Sequence, residues 1–263
     1  MVLSTTPDEA PTTTGTSPGR TTVRGNFEAL GMAQKPTRGT PAYSRLVNRP
    51  AARRVAAAAH VYGLAPNAAT LLSGSLSATA LTLLIVGEPS VALGCAVAVL
   101  LALGYVMDSV DGQLARLRGR GSASGEWLDH TVDCVKTCVL HLAVLVSFFR
   151  FPPVESDGAL VVPMAFLVVD ATCFFGIILL PYLRLANGGD GRTPSPSRPE
   201  RPLRMWLLLP NDYGTFCWMF VLLAWSHVFF AFYALLFAAN AVFLSLACSK
   251  WWRELRSLDL QEA

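Results

Sequence analysis

The chain alternates long apolar runs with short polar turns. Six runs reach or approach the ~20 residues that an α-helix needs to cross a bilayer: 68–86, 91–107, 127–149, 160–183, 213–227 and 228–249. The last two abut almost without a linker. Ahead of them, residues 43–62 set Arg45, Arg49, Arg53 and Arg54 beside Leu46, Val47, Val55 and an alanine run. That mixture predicts an amphipathic helix in the membrane interface, with its arginines on anionic headgroups and its alanines toward the acyl boundary. The expected fold is all-α, an integral membrane bundle of six transmembrane helices with an N-terminal interfacial helix.

Composition agrees with that pattern. The 263 residues are 52% hydrophobic and only 15% charged, against about 25% charged in soluble domains. A net charge of +3 is too small to point to nucleic acid, and its placement carries more meaning than its size. With the N-terminus inside, nineteen of the 21 Lys and Arg residues fall on the cytoplasmic side. Arg150 falls in an outer loop and Lys136 within a span. This asymmetry favours an even number of spans with both ends in the cytoplasm. Residues 1–42, rich in Thr, Pro and Gly, are expected to be a disordered cytoplasmic tail without a signal-peptide core. Residues 43–255 form the membrane domain, and 256–263 a cytoplasmic C-terminal tail. The loop 187–210, rich in Pro and Arg, is expected to be irregular and cytoplasmic. Cys95, Cys134, Cys138, Cys173, Cys217 and Cys248 lack metal-site spacing and read as small core residues.

The chemistry is concentrated between the second and third runs. Asp108, Asp111, Gly112 and Ala115 recur at three- and four-residue steps, and Gly125, Asp129 and Asp133 at four-residue steps, so each set lies along one helical face. The polar turn between them folds the two rows face to face. An acid at a helix centre costs roughly 2.5–3.5 kcal/mol on insertion scales, less toward the interface. Four together need compensation, and divalent cations supply it. Carboxylate oxygens suit hard ions such as Mg²⁺, and paired ions are a recurring device for phosphoryl transfer.

The stretch as a whole, D-x-x-D-G-x-x-A-R, eight residues, then G-x-x-x-D-x-x-x-D, resembles the signature of the CDP-alcohol phosphotransferases at every fixed position. The wider resemblance covers residues 43–255. It implies an enzyme that moves a substituted phosphoryl, or phosphatidyl, group from a CDP-linked donor to an alcohol, releasing CMP. It implies Mg²⁺ or Mn²⁺, as two ions, on Asp108, Asp111 and Asp129. Asp133 would be a further ligand or the base that takes the acceptor proton. Gly112, Ala115 and Gly125 would shape the cytidine pocket, with Arg116 beside it. Pro66-Asn67-Ala-Ala-Thr70 is similar to the family's entry to the first span, so Asn67 and Thr70 would touch the nucleotide, although so short a motif also caps helices. Membrane lipids, a homodimer and a site toward the cytoplasm complete the expectation, with no nucleic acid.

Other readings weigh less. The acids could pair with Arg116, Arg118 and Arg120 in a structural network, or line the ion path of a transporter or channel. An aspartate-rich prenyltransferase would need a second acidic motif, which is absent. The stretch 125–130 is similar to choline and ethanolamine phosphotransferases, which leaves open a CDP-linked small alcohol transferred to diacylglycerol. Lys136 and Asp170 are expected to pair with each other, or else to line the acceptor pocket. His130 reads as a supporting or headgroup contact, His141 as core, and Asn240 as an interhelical hydrogen bond.

Overall fold

The structure, a computed structural model, describes residues 22–33, 39–119, 121–187 and 203–262. Residues 1–21, most of the expected tail, and 188–202, most of the expected loop, lie outside the described residues. The elements are helical throughout: α1 (Val23–Met32), α2 (Arg49–Val61), α3 (Pro66–Val86), α4 (Val91–Leu117), α5 (Ala123–Arg150), α6 (Val161–Ala186), α7 (Leu203–Leu207), α8 (Tyr213–Met219) and α9 (Ser226–Glu262). A π-turn at Ser44–Asn48 leads into α2, and 3₁₀ turns precede α6 and flank α8.

Five of these helices are long and apolar enough to cross a membrane, and Tyr213–Leu222 is a shorter apolar helix. The chain is an integral membrane protein. The fifth expected span, 213–227, is therefore the one that differs. At 1.5 Å per residue its helical part is about 15 Å long, half of a ~30 Å hydrocarbon core. The helix starts at Tyr213 as expected, capped by Asp212, whose side chain accepts from Gly214 N (3.1 Å) and Ser44 N (2.9 Å). It stops at Leu222, where turn bonds from Leu223 N to Phe220 O and from Trp225 N to Leu222 O break it before α9. Phe216, Cys217, Met219 and Phe220 then bury inside the bundle. Helix α9, by contrast, runs 37 residues through Glu262, so the expected C-terminal tail continues a helix.

Three further expectations change. Residues 23–32, assigned to the disordered tail, form α1, whose N-terminus Thr22 caps. Leu30 of α1 is fully buried against Ala52, Ala56 and Ala57. Asn26 Nδ2 donates to Ala57 O at 3.1 Å, and Arg53 stacks on the Phe27 ring at 3.8 Å. The alanines of α2 thus face α1 and the ends of α3 and α4, not the acyl boundary. Small side chains let these helices approach closely, which is worth more packing contact than lipid offers them. Of the cysteines, Cys217 is buried, Cys138 and Cys173 are half-buried, and Cys95, Cys134 and Cys248 lie on the outer surface. In a membrane bundle that surface is apolar too, so an apolar run does not distinguish inside from outside.

The main core gathers aromatic side chains from α5, α6, α8 and α9, with Phe166, Phe220, Phe229 and Tyr233 essentially without exposure. His141 is core as expected: Nδ1 lies 2.7 Å from Tyr233 Oη and Nε2 3.0 Å from Asp170 Oδ2. Asn240 donates to Pro210 O at 2.8 Å, the expected contact between elements. Arg184 forks onto Glu254 (2.6 and 3.0 Å) and ties α6 to α9. On the other side, α3 and α4 approach so closely at Gly104 that an added Cβ would lie 2.8 Å from Ser77 Oγ and 3.2 Å from Ser73 O. That contact sets the spacing on which the site depends.

Candidate active site

Helix α4 continues ten residues past its expected span, about 15 Å, and carries Asp108 through Leu117 beyond the main aromatic core, where Val110 and Leu114 bury against α1, α2 and α3. Gly119, at φ +74°, makes the left-handed turn that lets the chain reverse. Ser122 then caps α5 by accepting from Gly125 N at 3.0 Å. The two acidic rows meet as a consequence. Asp108, Asp129 and Asp133 each offer a carboxylate oxygen, and these oxygens lie within 4.8 Å of one another. All three side chains are half-buried.

Asp111 is oriented differently. It is 7% exposed, and its Oδ2 accepts a 2.6 Å hydrogen bond from Thr70 Oγ1 on α3, while its Oδ1 faces the Gly112 amide. Thr70 also reaches Pro66 O at 3.3 Å. Thr70 therefore touches the acidic group directly, whereas Asn67 is exposed and borders Gly125: a Cβ there would lie 3.1 Å from Asn67 Oδ1 and 2.9 Å from Ser122 Oγ. A Cβ on Gly112 would meet only Arg116 Nη1, at 3.7 Å. The protein leaves open space at Gly112 that a side chain would fill. Ala115 and Arg116 are half-buried on the next turn, and Arg116 Nε is buried without a hydrogen-bond partner.

Lys136 joins this group, contrary to the expected pairing with Asp170. Its Nζ lies 2.5 Å from Asp108 Oδ1, 2.7 Å from Asp133 Oδ1 and 3.2 Å from Ser73 Oγ. Asp170 pairs with His141 instead. The physical reason is helical register. Lys136 is three residues from Asp133 and so shares its face, while Asp170 lies nearer His141, more than one turn further along α5. Ser73 had not been singled out, although its spacing from Thr70 (i, i+3) and Ser77 (i, i+4) marks one polar face on α3. His130 is peripheral, with Nε2 3.9 Å from Glu126 Oε1.

An all-oxygen donor set suits a hard divalent ion. Oxygens on opposite sides of Mg²⁺ are about 4.2 Å apart, so small side-chain adjustments would close the Asp108, Asp129 and Asp133 group around one. The residues present fit a metal, and the open face at Gly112 and the unpartnered Arg116 Nε fit an anionic ligand beside it.

Fold and site together define a helical membrane protein with a carboxylate cluster suited to metal-assisted phosphoryl transfer. The family described as CDP-alcohol phosphatidyltransferase matches residues 63–251, and the chain belongs to that family. It is a transferase of substituted phosphate groups. Among solved structures, the chain is similar to the phosphatidylinositol phosphate synthase PgsA1 of Mycobacterium tuberculosis with CDP-DAG bound. Identity is 22%, the match covers 78% of this chain and 94% of that one, and the TM-score is 0.52. A second structure of that synthase, with manganese and citrate, is 24% identical over 74% of this chain and 86% of that one, with a TM-score of 0.45. No curated protein matches the chain.

Proposed function

We propose that this protein moves a phosphatidyl group from CDP-diacylglycerol to the hydroxyl of an alcohol, in a site that opens toward the cytoplasm. The observation that carries the reading is the convergence of Asp108, Asp129 and Asp133 beside the open face of Gly112, within a chain that belongs to the family. The similar synthase structure that has CDP-DAG bound supports a lipid-bearing donor. Neither a small CDP-linked alcohol as donor nor a transporter or channel is favoured by these findings.

In this proposal the aspartates hold Mg²⁺ or Mn²⁺. A bound ion would neutralise the diphosphate and polarise the phosphorus under attack. Gly112, Ala115 and Gly125 admit the cytidine and its phosphates, with Asn67 at the rim. Thr70 orients Asp111, and Arg116 directs its unpartnered Nε toward the diphosphate. Asp133 takes the proton of the acceptor hydroxyl. The acceptor oxygen bonds to the phosphorus that carries diacylglycerol, and CMP leaves with the electron pair of the broken P–O bond. The basic asymmetry of the sequence supports the cytoplasmic orientation. A homodimer, implied by the family resemblance, belongs to the same proposal.

The test is incubation of purified protein with CDP-diacylglycerol, Mn²⁺ and a panel of small alcohols and their phosphates, followed by mass spectrometry of the lipids. A new phospholipid formed in equal amount with CMP supports the reading. Conversion of CDP-ethanolamine or CDP-choline with diacylglycerol, and none of CDP-diacylglycerol, overturns it.

A further inference from the structure

We propose that the cavity one helical turn beneath the carboxylate cluster selects an unphosphorylated alcohol as acceptor, with Asp170 receiving a second hydrogen-bond donor of that alcohol, a hydroxyl or an ammonium. The inference rests on the transferase reading above and names the class of alcohol that its site takes.

The cavity has a volume of about 310 Å³ and is lined mainly by apolar and aromatic side chains of α5, α6, α8 and α9. That is the lower end of the size range of small-molecule sites. Its place follows from helical register. Thr137 lines it and lies one turn beyond Asp133 on α5. Tyr213 lines it too and packs edge-on against Tyr105 at 5.2 Å, and Tyr105 stands one turn before Asp108 on α4. A hydroxyl within reach of Asp133 would therefore lead the rest of its molecule into this space.

The polar groups in the cavity are arranged to accept. His141 lies eight residues beyond Asp133, about 12 Å along the helix. A carboxylate only accepts, so His141 Nε2 donates to Asp170 Oδ2 at 3.0 Å and Tyr233 Oη donates to Nδ1 at 2.7 Å. Both ring nitrogens are thus engaged. The other oxygen of Asp170 has no partner among the described residues, and its side chain, 20% exposed, lines the cavity. Asn240 donates through Nδ2 to Pro210 O and Leu236 O, at 2.8 and 2.9 Å, which leaves its amide oxygen as the atom it can offer a ligand. Thr137 and Asn211 can serve either way.

A carboxylate oxygen among apolar walls is costly until a donor reaches it. A hydroxyl or an ammonium supplies that donor. A phosphate would instead set like charge against Asp170, where low polarity strengthens the repulsion. Among the described residues, the lining holds no Lys or Arg to offset it.

The experiment compares matched acceptors on the full chain in detergent with CDP-diacylglycerol and Mn²⁺: myo-inositol against myo-inositol 1-phosphate, and glycerol against glycerol 3-phosphate. CMP release and mass spectrometry of the lipids give the rates. We expect kcat/KM at least tenfold higher for the unphosphorylated member of the pair that reacts best. Asp170→Asn can still accept from His141, yet should raise KM for that acceptor tenfold or more, narrow the preference, and leave KM for CDP-diacylglycerol within twofold. Preference for the phosphorylated member, or a folded Asp170→Asn with unchanged acceptor KM and preference, overturns the inference. If Asp170→Asn does not fold, the preference of the unmodified protein decides alone. Saturation-transfer nuclear magnetic resonance with the same alcohols and no donor reads the cavity without turnover. Binding of the unphosphorylated members that is lost in Asp170→Asn, without CMP release from any CDP-linked donor, would support the inference and overturn the transferase reading. Phospholipid and CMP formed from the phosphorylated acceptors alone would do the reverse.

Discussion

Thr70 Oγ1 donates a 2.6 Å hydrogen bond to Asp111 Oδ2, and this bond links the start of α3 to the C-terminal part of α4. Both residues are buried, so the carboxylate has little water to replace the hydroxyl if it is lost. A hydrogen bond to a charged group contributes about 1.5–3 kcal/mol. Thr70→Val should therefore lower thermal stability by an amount in that range and reduce turnover at least tenfold. Thr70→Ser, which keeps the hydroxyl, should restore most of both. Paired measurements of unfolding in detergent and of CMP release check this.

Gly112 separates ligand space from protein packing. An added Cβ would touch only Arg116 Nη1, at 3.7 Å. In a helix interior, Gly→Ala is ordinarily stabilising by roughly 0.5–1 kcal/mol. Gly112→Ala should thus leave the protein as stable as before or more so, yet weaken binding of a CDP-linked donor by tenfold or more. A stable variant with unchanged donor affinity would place the nucleotide elsewhere.

The donor set at Asp108, Asp129 and Asp133 contains only oxygen, which predicts dependence on a hard ion. Chelation should abolish CMP release, and Mg²⁺ or Mn²⁺ should restore it. Turnover that persists in excess EDTA would contradict the metal-dependent mechanism.

The short helix Tyr213–Leu222 makes topology worth measuring. If this segment and its flanking turns complete a crossing, both chain ends lie on one side of the membrane, which the placement of the basic residues favours as the cytoplasm. Single cysteines introduced at positions 17 and 262 of a variant lacking the native cysteines should then be labelled from the same, cytoplasmic side. Labelling from opposite sides would leave five crossings.

Much of this architecture was legible in the sequence because apolar length is a strong signal in membranes. Four of the expected spans coincide with α3 to α6, apart from the ten residues by which α4 outruns its span, and the fixed spacing of the aspartates identified the family and brought α4 and α5 together. The start of α8 at Tyr213 was legible, but the end of that apolar helix at Leu222 was not, because residues 223–225 are as apolar as the helices they separate. The same holds for α1, whose few apolar residues become significant only when Leu30 meets the alanines of α2. The partner of Lys136 was misread because pairing two lone charges in neighbouring spans ignored helical register. Its three-residue spacing from Asp133 was the better guide.

Asp133 and Asp108 both contact Lys136, yet the proposal gives them different duties, since only Asp133 takes the acceptor proton. Equilibrium binding of a CDP-linked donor in the presence of Mn²⁺ separates them from turnover. Asp108→Asn should lose donor binding together with turnover. Asp133→Asn should keep most donor binding while turnover falls by roughly 10²-fold or more, as expected for loss of a general base. Equal loss of binding in both variants would make Asp133 a metal ligand only.

The central claim is that attack falls on the phosphorus that carries diacylglycerol. CDP-diacylglycerol labelled with ³²P only at that phosphate tests it most directly, with purified protein, Mn²⁺ and an accepted alcohol. The account predicts that all label stays in a new lipid product, while unlabelled CMP appears in equal amount and both vanish in Asp129→Asn. Label recovered as phosphatidic acid, with the cytidine monophosphate joined to the alcohol and no free CMP, would place the attack on the other phosphorus and contradict it.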